Sequence, residues 1–72
     1  MNQIKIGKFI AECRKRKSLT QIQLAEKLNL SQTVVSKIET CERRLDVIEL
    51  IDVCEAINIS YLDFFNELNS KL

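Results

Sequence analysis

The sequence predicts an all-α fold, a compact domain of five helices, on three observations. Its 72 residues contain no proline and a single glycine, Gly7. Leu, Ile, Glu and Lys, all compatible with helix, are abundant. Four N-cap residues are each bracketed by apolar residues one position before and four after, the pattern of a hydrophobic staple. A chain of this length is expected to form one domain, 1–72.

The first helix, about 3–17, is carried by Ile6, Phe9, Ile10 and Cys13 at helical spacing. The second, 21–28, starts after Leu19-Thr20 with Leu24 as its staple partner, and Gln23 completes a capping box. The third, 32–39, follows Leu30-Ser31 with Val35, and has Val34 where a box would place Glu or Gln. The fourth, 47–57, follows Leu45-Asp46 with Leu50 and Glu49, and the fifth, 61–69, follows Ile59-Ser60 with Phe64 and Asp63. The second and third helices are too short to be stable alone, so packing must hold them. Asn29 and Asn58 suit left-handed helix ends, because asparagine is the best substitute for glycine there. The expected core is Ile6, Ile10, Cys13, Leu19, Leu24, Ala25, Leu28, Leu30, Val35, Ile38, Leu50, Val53, Cys54, Ile57 and Phe64.

Composition narrows the function. Histidine is absent, which removes the usual general base, the Ser-His relay and most zinc sites. The chain is expected to be no enzyme and to need no metal or cofactor. No apolar run approaches the ~18 residues of a membrane span, and no secretion signal is visible, so a cytoplasmic protein with no membrane partner is expected. Cys13, Cys41 and Cys54 form no CxxC pair, which fits a reduced compartment. Cys13 and Cys54 fall on apolar faces, whereas Cys41 lies in a charged loop open to oxidation. The net charge of +1 hides an asymmetry. Residues 1–44 hold ten Lys/Arg against four Glu, a balance of +6, and residues 45–72 hold one Lys against six Asp/Glu, a balance of −5. Such a division suits one face for a polyanion and another turned away from it.

Two short helices joined by a three-residue turn at 29–31, with the small Ala25 permitting close approach, have the geometry of a DNA-reading helix-turn-helix over about 20–40. Val35 and Ile38 turn inward, which leaves Gln32, Thr33, Ser36 and Lys37 on or beside the outward face. Their amide, hydroxyls and ammonium suit base edges: Gln to adenine, Lys to guanine, the Thr methyl to thymine.

The stretch from Leu19 to Glu39, with Thr20-Gln21, Leu24-Ala25, Ser31, Val35-Ser36 and Ile38-Glu39 in register, resembles the lambda-repressor-like (Cro/repressor, XRE) family. Ile6 through Arg14 resembles the family's first helix, and Leu50 through Ser60 its fourth and the following turn. The resemblance implies base contacts at Gln32, Thr33, Ser36 and Lys37. It implies phosphate contact at Gln21, with Asn29, Ser31 and Thr40 adding backbone contacts and Arg43, Arg44 and Lys17 as cationic clamps. It also implies a structural ion pair between Arg14 and Glu39. The pattern departs at Thr40-Cys41-Glu42, where family members often carry glycine, so the conformation of that loop stays open.

Tyr61, Phe65, Leu68 and Leu72 are more apolar surface than the last helix needs for the core, and 61–72 is the expected dimerisation region. The acidic second half is then available to a protein such as RNA polymerase. The expected function is a transcriptional regulator binding a palindromic double-stranded DNA operator as a homodimer. A protein-interaction module, an antitoxin or adaptor with secondary DNA binding, is the alternative. A standalone restriction-modification controller, a Cro-like phage repressor and the DNA-binding part of a longer regulator all fit the length.

Overall fold

A computed structural model describes residues 6–71 of the chain. Five helices follow in order: α1 Ile6–Arg16, α2 Gln21–Leu28, α3 Gln32–Glu39, α4 Val47–Ile57 and α5 Tyr61–Ser70. There is no strand among the described residues, and none of their helices is long and apolar enough to cross a membrane. The expected start of the first helix at about 3 lies outside the described residues.

The helix starts follow from the caps. Thr20 Oγ1 accepts the Gln23 N–H while the Gln23 side chain accepts the Thr20 N–H, and Asp46 and Glu49 make the same reciprocal pair. Ser31 caps through the Val34 N–H at 3.3 Å. Ser60 instead accepts from Leu62 N at 3.2 Å, so Asp63 completes no box.

The helix ends share one solution. After each of α1 to α4 a residue with positive φ turns the chain: Ser18 at 58°, Asn29 at 57°, Cys41 at 65° and Asn58 at 64°. Each closes on the preceding turn by a pair of backbone hydrogen bonds. At Asn29 these are Asn29 N to Glu26 O at 3.2 Å and Leu30 N to Ala25 O at 2.9 Å. At Cys41 they are Cys41 N to Ile38 O at 3.1 Å and Glu42 N to Lys37 O at 2.9 Å. The loop after α3 therefore takes the conformation a glycine would take, with a cysteine in its place.

The one glycine serves a different purpose. A Cβ at Gly7 would overlap the Ile38 carbonyl oxygen and come within 3.0 Å of Cys41 Sγ and the Glu39 carbonyl, so Gly7 lets α1 lie directly on the end of α3.

Around this contact sit Phe9, Ile10, Cys13, Leu24, Ala25, Val35, Ile38, Leu50, Val53, Cys54, Ile57 and Phe64. Phe9, absent from the expected core, stacks tilted on Phe64 at 4.9 Å between ring centroids. Ile6 and Leu30 were expected inside and are each 38% exposed. Ile6 lies on the correct stripe but at the end of its helix, and Leu30 lines an open groove with Leu28, Leu45 and Val53. Leu19 and Leu28 are half-buried. Burial pushes the Cys13 thiol up and that of Cys54 up to about 11, so both remain neutral packing groups.

Two substitutions test this geometry by urea unfolding. Gly7→Ala should destabilise by about 2–3 kcal/mol through overpacking against the α3 backbone. Cys41→Gly should stabilise by up to about 1 kcal/mol by removing a side chain from a left-handed position.

Candidate nucleic-acid interface

The presentation of α3 is fixed from behind by charge. Arg14 on α1 and Glu39 on α3 pair with only 9% and 5% of their side chains exposed. Arg14 Nε donates to Glu39 Oε2 at 2.7 Å and Nη2 donates to Oε1 at 3.1 Å, while Nη1 donates to the Leu19 carbonyl at 2.6 Å. Two charges can be buried this way because nearly every polar atom finds a partner.

Glu39 Oε1 accepts one further bond, from Gln21 Nε2 at 3.0 Å, and Gln32 Nε2 reaches Gln21 Oε1 at 3.5 Å. A polar chain thus runs from the interior, Arg14 to Glu39 to Gln21, and ends at Gln32, the first residue of α3. The Gln21 side chain is occupied by this chain. What it offers an anion is the start of α2, where the first N–H groups lack intrahelical partners and Thr20 takes only those of Gln23 and Leu24.

On the outward side of α3, Gln32, Thr33 and Lys37 are exposed and Ser36 is half-buried. Val35 and Ile38, 1% and 3% exposed, hold the opposite side in the core. Asn29 is exposed in the turn before the helix. The hydroxyls of Ser31 and Thr40 are committed: the first caps α3, and the second donates to Glu42 Oε2 at 2.7 Å, while the Thr40 N–H donates to the Ser36 carbonyl at 3.0 Å.

The cations differ among themselves. Among the described residues, Lys17, Lys37 and Arg44 are exposed and lie in no ion pair. Arg43 is not a free clamp. Its Nη2 donates to Glu49 Oε2 at 2.7 Å, and its buried Nη1 has no hydrogen-bond partner. The Arg43 guanidinium, aided by the Asp46 backbone N–H, holds the Glu49 carboxyl below the usual carboxylate range. The sequence marks Glu49 only as part of a cap, since the six-residue separation of the pair crosses a loop.

On α5, Tyr61 and Phe65 are 46% and 37% exposed. Their rings, 6.5 Å apart, continue through Phe64 at 5.9 Å to the buried Phe9 pair. Leu68 is half-buried against the core, so it closes the interior more than it offers surface. Leu72 lies outside the described residues. Leu62 at 61%, Val47 at 65% and Ile48 at 68% are exposed apolar residues that the periodicity of single helices did not single out. A signal existed, since eight of the eleven residues of α4 are apolar, more than one side can bury.

Two short helices crossed at a left-handed asparagine, the second anchored inside and polar outside, define a helix-turn-helix unit. The sequence profile of a family described as helix-turn-helix matches residues 10–64, and the chain belongs to this XRE-type family. The fold is similar to that of the wild-type restriction-modification controller protein C.Esp1396I, with TM-score 0.85, 33% identity and coverage of 92% of this chain and 87% of that one. The tetramer of that controller in complex with its natural 35 base-pair operator gives TM-score 0.85 at 33% identity over 92% and 87% of the two chains. An XRE-family-like protein from Pseudomonas syringae pv. tomato gives TM-score 0.83 at 36% identity over 92% and 80%. Antitoxin PezA from Streptococcus pneumoniae is 36% identical over 63 residues, 86% of this chain. The chain spans 39% of that relative's length.

The ion pair can be tested apart from the interface. Glu39→Ala should cost about 3–5 kcal/mol, because it strands a buried guanidinium. Arg14→Met combined with Glu39→Met should recover most of that loss in thermal or urea unfolding, since the pair's worth is offset by its desolvation.

Proposed function

We propose that this protein is a sequence-specific regulator of transcription that inserts α3 into the major groove of double-stranded DNA and carries out no catalysis. The observation that carries this reading is the polar outer side of α3, Gln32, Thr33 and Lys37, held over a buried anchor. A surface needed only for solubility has no use for a reading helix wired through Gln21 to an interior ion pair. In the proposed complex Gln32 and Lys37 read base edges, Thr33 packs on a thymine methyl, and Ser36 contributes at the helix edge. The start of α2, the Ser31 N–H and the side chains of Asn29, Lys17 and Arg44 hold phosphates. The complex of the similar controller with its operator supports this reading.

The apolar residues of α5 support a homodimer about Tyr61 and Phe65, which would set two α3 helices about 34 Å apart on an inverted repeat. The similarity to an antitoxin favours a second reading, in which the same domain belongs to a protein that also holds a partner. Copurification of a stoichiometric protein with the chain would move the balance to it.

Gel-shift titration against genomic fragments, including the DNA upstream of the chain's own reading frame, should reveal selective, salt-sensitive binding. Binding that is absent or indifferent to sequence sinks the proposal. Lys37→Ala should cost about 1–3 kcal/mol on the preferred site and relax its specificity. Arg44→Ala should weaken all sequences alike and lower the salt slope by about 1. In sedimentation, the unsubstituted chain should run as a dimer and Tyr61→Arg as a monomer; a monomeric unsubstituted chain at high micromolar concentration removes the dimer from the proposal.

A further inference from the structure

We propose that Glu49 is an internal competitor for the DNA backbone: it occupies Arg43 in the free protein and gives it up when the loop after α3 meets phosphate. This rests on the DNA-binding reading above.

Four observations lead to it. Arg43 lies in the loop four residues past the end of α3, with its backbone N–H on the Lys37 carbonyl at 3.1 Å and the exposed Arg44 beside it. Its pairing with Glu49 is incomplete. A single bond of 2.7 Å joins Nη2 to Oε2, and the buried Nη1 has no partner, whereas a guanidinium and a carboxylate at full engagement share two bonds.

The pair is also open to solvent, with side chains 37% and 36% exposed, unlike Arg14 and Glu39 at 9% and 5%. Exposed pairs of this kind hold weakly and yield to a competing anion.

Finally, Glu49 is the fixed partner. Its other oxygen, Oε1, accepts the Asp46 N–H at 3.1 Å, and it sits in the first turn of α4, where the helix dipole favours a carboxylate and disfavours a guanidinium. When the pair opens, Arg43 moves and Glu49 stays.

The consequence is electrostatic. An arginine that is already neutralised gains less from phosphate than a free one, and it leaves behind an uncompensated carboxylate near the DNA. Glu49 therefore lowers affinity for DNA of any sequence and flattens its salt dependence.

Glu49→Gln isolates the effect, because the glutamine oxygen can still accept the Asp46 N–H in the capping box while the charge is removed. Thermal unfolding confirms that the variant folds. A labelled random-sequence duplex is then titrated at several salt concentrations with the unsubstituted chain, Glu49→Gln, Arg43→Ala and the double variant. Glu49→Gln should bind about two- to fivefold tighter at low salt, the range of an exposed ion pair. Its plot of log affinity against log salt should steepen by up to about one unit. In the Arg43→Ala background the same change should have at most a small residual effect.

Equal or weaker binding by Glu49→Gln overturns the proposal, since Glu49 then positions Arg43 or is irrelevant to it. An undiminished gain without Arg43 overturns it too, because the effect is then one of bulk charge. If the unsubstituted chain itself shows no salt-dependent binding, the DNA-binding reading falls first, a result distinct from both.

Discussion

The buried contact between Arg14 and Glu39 sets where everything else can be. It joins residues 25 positions apart, on α1 and α3, and one guanidinium also fixes the Leu19 carbonyl in the turn leading into α2. The carboxylate in turn holds Gln21 at the start of α2. Three elements thus converge on two charged groups that tolerate little displacement, because a buried charge that loses a partner is left with its desolvation cost. Apolar packing alone would leave helices of eight residues free to slide and rotate over small distances. The ion pair converts that tolerance into one orientation, and the orientation of α3 is what an interface of base-reading side chains requires.

Much of this was legible in the sequence because the informative residues act locally. Thr20, Ser31, Asp46 and Ser60 lie within one turn of the groups they cap, and the apolar residues around them repeat at fixed spacing. Asn29 and Asn58 announce left-handed ends because their side chains tolerate that conformation. Ser18 and Cys41 adopt the same conformation without announcing it. Their backbones are forced there by the closing hydrogen bonds of α1 and α3, and at Cys41 also by the packing of Gly7 against the end of α3. Without a glycine after α3, Cys41 itself carries the left-handed conformation, and a side chain there costs stability.

What the sequence hid is tertiary. Helical periodicity places Ile6 and Phe9 on the same side of α1, yet Phe9 meets Phe64 from the last helix and becomes buried while Ile6 stays 38% exposed. Leu30 carries the pattern of a staple but faces a groove that the α3–α4 loop leaves open. The excess of apolar residues in α4 gives no hint of which ones stay outside until its packing against α2 and α5 is known, and then Val47 and Ile48 emerge as surface. Dual use is equally invisible: Glu49 satisfies its capping box so well that nothing in the spacing suggests a second partner.

The charge asymmetry changes meaning in the same way. Of the ten basic residues in 1–44, Arg14 is consumed by Glu39, Arg16 pairs with Glu67 at 2.7 Å, and Arg43 pairs with Glu49. Two of these three bridges run from the basic half of the chain to the acidic half, so part of the asymmetry is a device for joining α1 to α5 and the α3–α4 loop to α4. A charge balance taken along the sequence overstates the field at the surface, because a paired cation and its carboxylate nearly cancel at distances beyond a few ångströms. Among the described residues, Lys37 and Arg44, exposed and unpaired on and just beyond α3, have no such partner, and neither do the exposed Lys8, Lys15, Lys17 and Lys27. The basic half therefore keeps a positive sign at the surface after this pairing, carried among its described residues by six unpaired cations, of which Lys37 and Arg44 stand on and just beyond α3.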